Sequence, residues 1–435
     1  MSQLNVSRQP VSRRGLLAGL GALGLTGGFA LTGCSTSSPG SGAANGDASD
    51  VDTLKFYGNA LGDNAQKAAW QTITAGWEKK TGKSLKPVVY PYDQAATQLA
   101  LAAKAGDFQG VAQGPWQLLA PMGILADVSD LAKGMALPER ILDGLRVDGK
   151  LYMLPLTASG IGLVCDGRIA DEAGLTDAMS VEDFAGALEK IKRQDSDLIP
   201  YAAVTKNPDL KDAVHWMWGW GSEVVTDDLK CTIGDAESVA AVTWYKDLQE
   251  AGLTKAGVAR TDARILFARG QAVMYDDAPL ANTFLKSNGG PKALQAAIRP
   301  VQRPAVKGGP SYNRFWGTGL FCSAGKGEKT SRDFISYVAG DLGAATALYE
   351  QSALAPADRK VADRIEKLQK DSFQKDFARV IAENSRPGAW DKLSTAAQID
   401  TTIGEGVASI LAGQVGVQSG LNALRKKVDT ALQQG

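Results

Sequence analysis

Short apolar runs that alternate with helical segments narrow the fold of this chain more than any other feature. Leu54-Lys55-Phe56-Tyr57 reads as a strand, and the next segment places Ala69, Trp70, Ile73 and Trp77 on one helical face before Gly82 stops it. The same order returns as a strand at 85–90, a helix at 93–104 and a strand at 108–112. Alternation of this kind is the signature of an α/β protein. Further strands are predicted at 152–156, 161–165, 272–275 and 319–322. Capped helices are predicted to start at Ser180, where Asp183 completes a capping box, and near Asp235. From about Glu328 onward the pattern is mainly helical. No repeat of fixed period occurs, which argues against solenoids and propellers.

The first 33 residues stand outside this pattern. Ser12-Arg13-Arg14-Gly15-Leu16-Leu17 opens an uncharged apolar run that continues to Gly33, the layout of an export signal. Its paired arginines resemble a twin-arginine signal, and Leu31-Thr32-Gly33-Cys34 resembles a bacterial lipobox. That resemblance implies a lipidated Cys34 as the new first residue, anchoring the chain at the extracytoplasmic face of the membrane. Residues 34–51 are then the lipidated cysteine and a tether, rich in Ser, Gly, Ala and Asn and predicted to be coil. Gly19-Leu20-Gly21-Ala22-Leu23-Gly24 matches a dinucleotide-binding pattern, but it follows no strand and is set aside.

Basic and acidic residues number 47 each, and residues 1–33 remove three arginines and no acid, so the mature chain carries a net charge of −3. That balance supplies no electrostatic reason for a nucleic-acid partner. Beyond the signal no apolar run approaches the roughly 18 residues that span a bilayer. Cys165, Cys231 and Cys322 remain after Cys34, compatible with one disulfide and a buried thiol or with three buried thiols. With His215 as the single histidine and no C-x-x-C or G-x-S-x-G, neither a His/Cys zinc site nor a Ser-His-Asp hydrolase is expected.

Aromatic residues cluster: Trp216, Trp218 and Trp220 follow His215, while Trp116, Tyr275, Tyr312, Phe315 and Trp316 follow strand-like runs or sit in Gly-rich loops. Ligands of open α/β sheets bind beyond the carboxyl ends of strands, where an aromatic ring suits the C–H face of a sugar and polar neighbours suit its hydroxyls. Several platforms with few titratable groups point to binding rather than catalysis. Trp216 and Trp220 also share a helical face, so core packing is the competing reading for either. Asp276-Asp277 would suit a glycosidase, but adjacent residues of a strand point to opposite faces.

Four stretches carry a family resemblance. They are Gly123-Ile124-Leu125-Ala126-Asp127-Val128-Ser129-Asp130-Leu131, Val147-Asp148-Gly149-Lys150-Leu151-Tyr152-Met153-Leu154-Pro155, Phe267-Ala268-Arg269-Gly270-Gln271-Ala272-Val273-Met274 and Ser331-Arg332-Asp333-Phe334-Ile335-Ser336-Tyr337-Val338. In this order they are similar to the extracellular solute-binding lipoproteins of carbohydrate ABC transporters (family 1, maltose-binding-protein-like). The chain departs from that pattern at Cys165-Asp166, usually Tyr-Asn, and at Gln109-Gly110, usually Pro-Asp.

The resemblance implies a two-lobed α/β fold, periplasmic-binding-protein-like (class II). Lobe one would be 52–159 plus 320–357, and lobe two 160–319 plus 358–435, with crossings near Ala158–Gly160, Gly317–Gly319 and Ala357–Lys360. Hinge closure on a sugar or oligosaccharide, and delivery to an ABC permease, are the implied function, with neither metal nor cofactor. Expected ligand contacts are Tyr57, Asn59, Asp63, Gln113 and Trp116 from lobe one, and Trp216, Trp218, Asp276, Asp277, Trp316 and Arg386 from lobe two. Alternatives are a glycerophosphodiester or polyamine on the same fold and, of another class, a secreted glycosidase or a structural lipoprotein.

Overall fold

The computed structural model describes residues 47–435 except 60, 63–65, 92–93, 138, 178, 307–308 and 310. The export signal, Cys34 and Asp63 therefore lie outside the described residues. Strands run in chain order as β1 (Thr53–Gly58), β2 (Ser84–Val89), β3 (Val111–Ala112), β4 (Arg146–Val147), β5 (Lys150–Leu151), β6 (Leu154–Asp166), β7 (Ile199–Ala202), β8 (Ala272–Asp277), β9 (Ile298–Val301), β10 (Asn313–Cys322) and β11 (Ser385–Arg386). The main sheet has the order β2-β1-β3-β10-β6-β8-β7, with β11 beside β10 and β9 beside β6. Pairs β1–β2, β1–β3 and β7–β8 are parallel, whereas β10 runs antiparallel to β3 and β6, and β6 antiparallel to β8 and β9.

Local sequence explains the helices that cover this sheet. Helix Lys67–Thr81 buries Ala69, Trp70, Ile73 and Trp77 and ends where Gly82 takes a left-handed φ of 71°. Helix Val181–Gln194 starts at Ser180, whose hydroxyl accepts from the Asp183 N–H at 3.0 Å and bonds the Asp183 carboxylate. Asp235 caps helix Ala236–Glu250 in the same way. Among the described residues no helix is long and apolar enough to cross a membrane.

Two strands carry the chain between the halves. At one end β10 pairs with β3, at the other β6 pairs with β8 and β9, and between them β6 and β10 pair with each other. Sequence periodicity predicts two strands at 152–156 and 161–165, but the structure has one, because Thr157–Gly160 pair with Phe315–Thr318. The register shifts between Thr318 and Gly319, and the Thr157 hydroxyl accepts there from the Thr318 N–H at 3.0 Å. The segment after Leu354 is tied to β6, where Ala357 N–H donates to the Leu156 carbonyl at 2.8 Å. The strand predicted over 108–112 is reduced to Val111–Ala112.

Buried side chains divide accordingly. One core joins residues between Leu54 and Leu156 to others between Leu320 and Leu354, and the main core of the other half joins residues between Leu163 and Val301 to others between Trp390 and Leu432. Cys165, Cys231 and Cys322 are three buried free thiols, each pushed up to about 12 by burial.

Candidate functional site

A cleft of about 470 Å³ opens where the two cores meet. One wall is Asp143 and Gly144, at the end of helix Glu139–Gly144, whose Ile141 and Leu142 belong to the first core. The other walls come from the second half: Trp218, Glu223, Asp227, Tyr312 and the segment from Arg386 to Lys392. Gly144 packs so closely on Pro387 that a Cβ would lie 2.1 Å from the proline Cγ. No larger residue fits between these walls as they stand.

Arg386 is the centre of the cleft. Its guanidinium lies 4.4 Å from the ring centroid of Trp218 and 4.5 Å from that of Tyr312, a cation within reach of two aromatic faces. Burial pushes its pKa below the ordinary arginine value. Trp218 is oriented by its indole N–H, which donates to the Glu223 carbonyl at 3.2 Å.

The segment carrying Arg386 is tied to the strand that crosses between halves. β11 pairs with β10 through Asn313–Ser385 and Arg314–Arg386. Arg314 bonds Asp391 and, at 3.1 Å, Asp400, and its guanidinium lies 4.6 Å from the Trp390 ring centroid. Trp390 donates its indole N–H to Asp400 at 2.9 Å. From the first half, Gln117 Nε2 donates to the Asp391 carbonyl at 2.8 Å. A shift of one half against the other therefore acts directly on the ground beneath Arg386.

A second cavity, of about 310 Å³, lies against β6 and β10 and is lined by Thr157, Ser159, Trp316, Pro279 and Leu354–Ala357 among others.

Of the residues expected from the sequence, Trp218 and Arg386 line the cleft and Trp316 lines the second cavity. The others are placed differently. Tyr57 is in the first core with its hydroxyl donating to the Asp107 carbonyl at 2.8 Å, and Trp116 is buried there beside Tyr152. Gln113 is buried next to β1, its N–H donating to the Tyr57 carbonyl at 3.0 Å. Asn59 is half-buried and accepts a turn bond from Gly62. Trp216 is in the second core against Phe184, Tyr201 and Trp244. The paired aspartates diverge: Asp276 accepts from Tyr201 and Arg303, while Asp277 binds Arg264 through both oxygens at 2.6 and 2.8 Å. Tyr312 was legible only as a loop aromatic. Asp143, Glu223, Asp227 and Lys392 carried no signal, being single charged residues without diagnostic spacing.

Behind the cleft, His215 is buried with its Nε2 3.9 Å from Asp276. Burial first, then the Arg303 cation, hold its pKa well below the usual 6.5. The folded imidazole stays neutral where the unfolded one gains a proton, so stability falls as pH drops below about 6.5, by up to about 1.4 kcal/mol per unit. Melting temperatures at pH 7 and 5.5 check this: the wild type is expected to lose stability across the interval and His215→Gln to lose less. Equal slopes would refute it.

A family profile described as bacterial extracellular solute-binding protein matches residues 72–379. No curated protein matches the chain. Similar solved structures include an ABC transporter solute-binding protein from Thermotoga lettingae bound with alpha-D-tagatose, 16% identical over 87% of this chain and 99% of that one, TM-score 0.71. The GacH receptor of Streptomyces glaucescens, solved unliganded and with acarbose, is 19% identical over 88% and 98%, TM-score 0.72. Maltose-bound MalE3 of T. maritima is 16% identical over 87% and 99%, TM-score 0.71. At this level of identity the likeness establishes the two-lobed, periplasmic-binding-protein-like α/β fold.

Proposed function

Because the chain belongs to the bacterial extracellular solute-binding protein family, and therefore acts outside the cytoplasm, we propose that it captures a sugar or oligosaccharide in the cleft and presents it to an ABC permease. The observation that carries this reading is the Trp218–Arg386–Tyr312 stack in a cleft walled by both halves. The half-buried Tyr312 ring offers apolar surface to a sugar, with the buried Trp218 backing Arg386, while Arg386, Lys392 and the carboxylates of Asp143, Glu223 and Asp227 offer donors and acceptors to its hydroxyls. The sugar-binding neighbours support the same class of solute.

Lobe one is then 52–159 plus 320–357 and lobe two 160–319 plus 358–435. Solute contacts from both lobes favour closure, since a ligand touching only one has no differential affinity for the closed form. Trp218, Tyr312 and Arg386 are the proposed contacts of lobe two, and Trp316 is proposed to report on the hinge. The buried Trp216, Asp276 and Asp277 are proposed to support the walls, as Tyr57, Gln113 and Trp116 do in lobe one; Asn59 and Asp63 are kept as contacts on the sequence pattern alone. Twin-arginine export and a lipid anchor on Cys34 complete the proposal, and mass spectrometry of the native N-terminus checks them.

A thermal-shift screen of residues 47–435 against mono- and oligosaccharides, with glycerophosphodiesters and polyamines as alternatives, tests the solute class. A ligand at 100 times its Kd adds about 2.7 kcal/mol of stability. Tyr312→Ala is expected to weaken binding about tenfold, ~1.4 kcal/mol, by removing a half-exposed ring. Unchanged affinity in that variant, or stabilisation by polyamines alone, would overturn the proposed site or solute.

A further inference from the structure

Resting on the saccharide reading, we infer that the solute carries an acidic group, a carboxylate or a phosphate, which Arg386 receives in the cleft. The reason is the company that arginines keep in this protein. Among the described residues, every other arginine that is not exposed lies within salt-bridge distance of a carboxylate. Arg260 meets Asp212, Arg264 meets Asp277, Arg303 meets Asp276, Arg314 meets Asp391 and Asp400, Arg299 meets Asp171, and Arg332 meets Asp130; Arg146 sits 3.9 Å from Asp143. Arg386 has two aromatic rings and, among the described residues, no carboxylate within 4 Å of its nitrogens. Its Nε is buried without a hydrogen-bond partner.

Rings satisfy the faces of a guanidinium, not its edge. The planar fork of N–H donors matches a carboxylate or phosphate in two parallel bonds. Neither ring takes up the N–H donors of Arg386, so that edge is what it has to offer, and leaving a partly desolvated cation without an ion-pair partner is unfavourable. Lys392, half-buried on the same segment, likewise has no ion pair among the described residues and adds a second positive charge to that side of the cleft.

The carboxylates of the cleft do not serve as the missing partner. Asp143, Glu223 and Asp227 are exposed, and none lies within 4 Å of the Arg386 nitrogens. Glu223 and Asp227 act on Arg386 only from beyond salt-bridge distance, through water that weakens the attraction. Their presence limits the ligand to one acidic group, because a second would meet like charge, while its hydroxyls could donate to them.

Isothermal titration of the mature chain distinguishes the outcomes. The probes are a uronic-acid oligosaccharide, its neutral counterpart of the same linkage, a sugar phosphate, a glycerophosphodiester and inorganic phosphate. One acidic saccharide is expected to bind at least tenfold tighter than its neutral counterpart, with the difference shrinking as salt rises. Carboxylate and phosphate arms identify the group. Arg386→Gln is expected to abolish the preference while leaving residual binding of the neutral sugar. Should that variant fail to fold, the acid-to-neutral ratio and its salt dependence in the wild type still decide. A neutral sugar that binds as tightly as its acidic counterpart overturns the acidic group and leaves the saccharide reading standing. Binding of the glycerophosphodiester alone, or of no saccharide at all by folded protein, overturns both.

Discussion

Asp276→Asn is expected to cost about 3–5 kcal/mol of stability, because it strands a buried cation. Arg303 has a side chain with no exposure, and among the described residues Asp276 is its only carboxylate partner, at 2.6 Å. Two of its nitrogens, Nε and Nη1, are already unpartnered, so nothing nearby takes up the charge. The Trp216 ring 4.6 Å from the guanidinium offsets part of the desolvation but accepts no hydrogen bond in the plane. Asparagine has one acceptor oxygen where Asp276 uses two, so Tyr201 and Arg303 can no longer both donate to it. At roughly 2–4 °C per kcal/mol, the melting temperature should fall by about 10 °C. Urea unfolding measures the loss, and Asp276→Asn with Arg303→Met should recover much of it, since removing both charges leaves none uncompensated. A stable Asp276→Asn that fails only in solute binding would return Asp276 to the list of contacts.

Trp216→Ala should be comparably severe, at about 3–5 kcal/mol. Its indole is 1% exposed and sits amid Phe184, Tyr201 and Trp244, with ring centroids 5.9, 6.1 and 4.8 Å away. Helix Val214–Trp220 is buried along nearly its whole length, so the wall that bears Trp218 loses its support as the cavity opens behind it. Trp216→Phe keeps much of the volume and should lose less. The contrast with Tyr312→Ala is diagnostic: the first variant is expected to lower the melting temperature with or without solute, the second to lower mainly affinity. Trp216→Ala with an unchanged melting temperature would show that the ring is not part of the core.

Much of the architecture was legible. Gly82 ends a helix, Ser180 and Asp235 begin others, and the apolar face of Trp70, Ile73 and Trp77 is buried as its spacing implies. What failed to show was the continuity of β6 through Thr157–Gly160. Those residues bridge two halves instead of lining one core, so they lack the alternation by which a strand is read, and backbone pairing with β10 holds them extended. Strand geometry did separate Asp276 from Asp277, which bind different arginines on different sides.

By itself, then, the sequence determined the α/β class, the helix boundaries set by caps and glycines, and the four stretches that mark the family. Those are properties of neighbours in the chain, where backbone conformation and side-chain period are local. Which aromatic meets the cleft was decided only in three dimensions. Trp216 and Trp218 sit two residues apart on one short helix and are equally buried, yet one packs on Arg303 and the other on Arg386 at the cleft, because strands β9 to β11 bring those arginines in from distant parts of the chain. An arginine left without a carboxylate is likewise invisible in a chain with equal numbers of acids and bases. Pairing of charges depends on which side chains end up within about 4 Å, and only packing sets that distance.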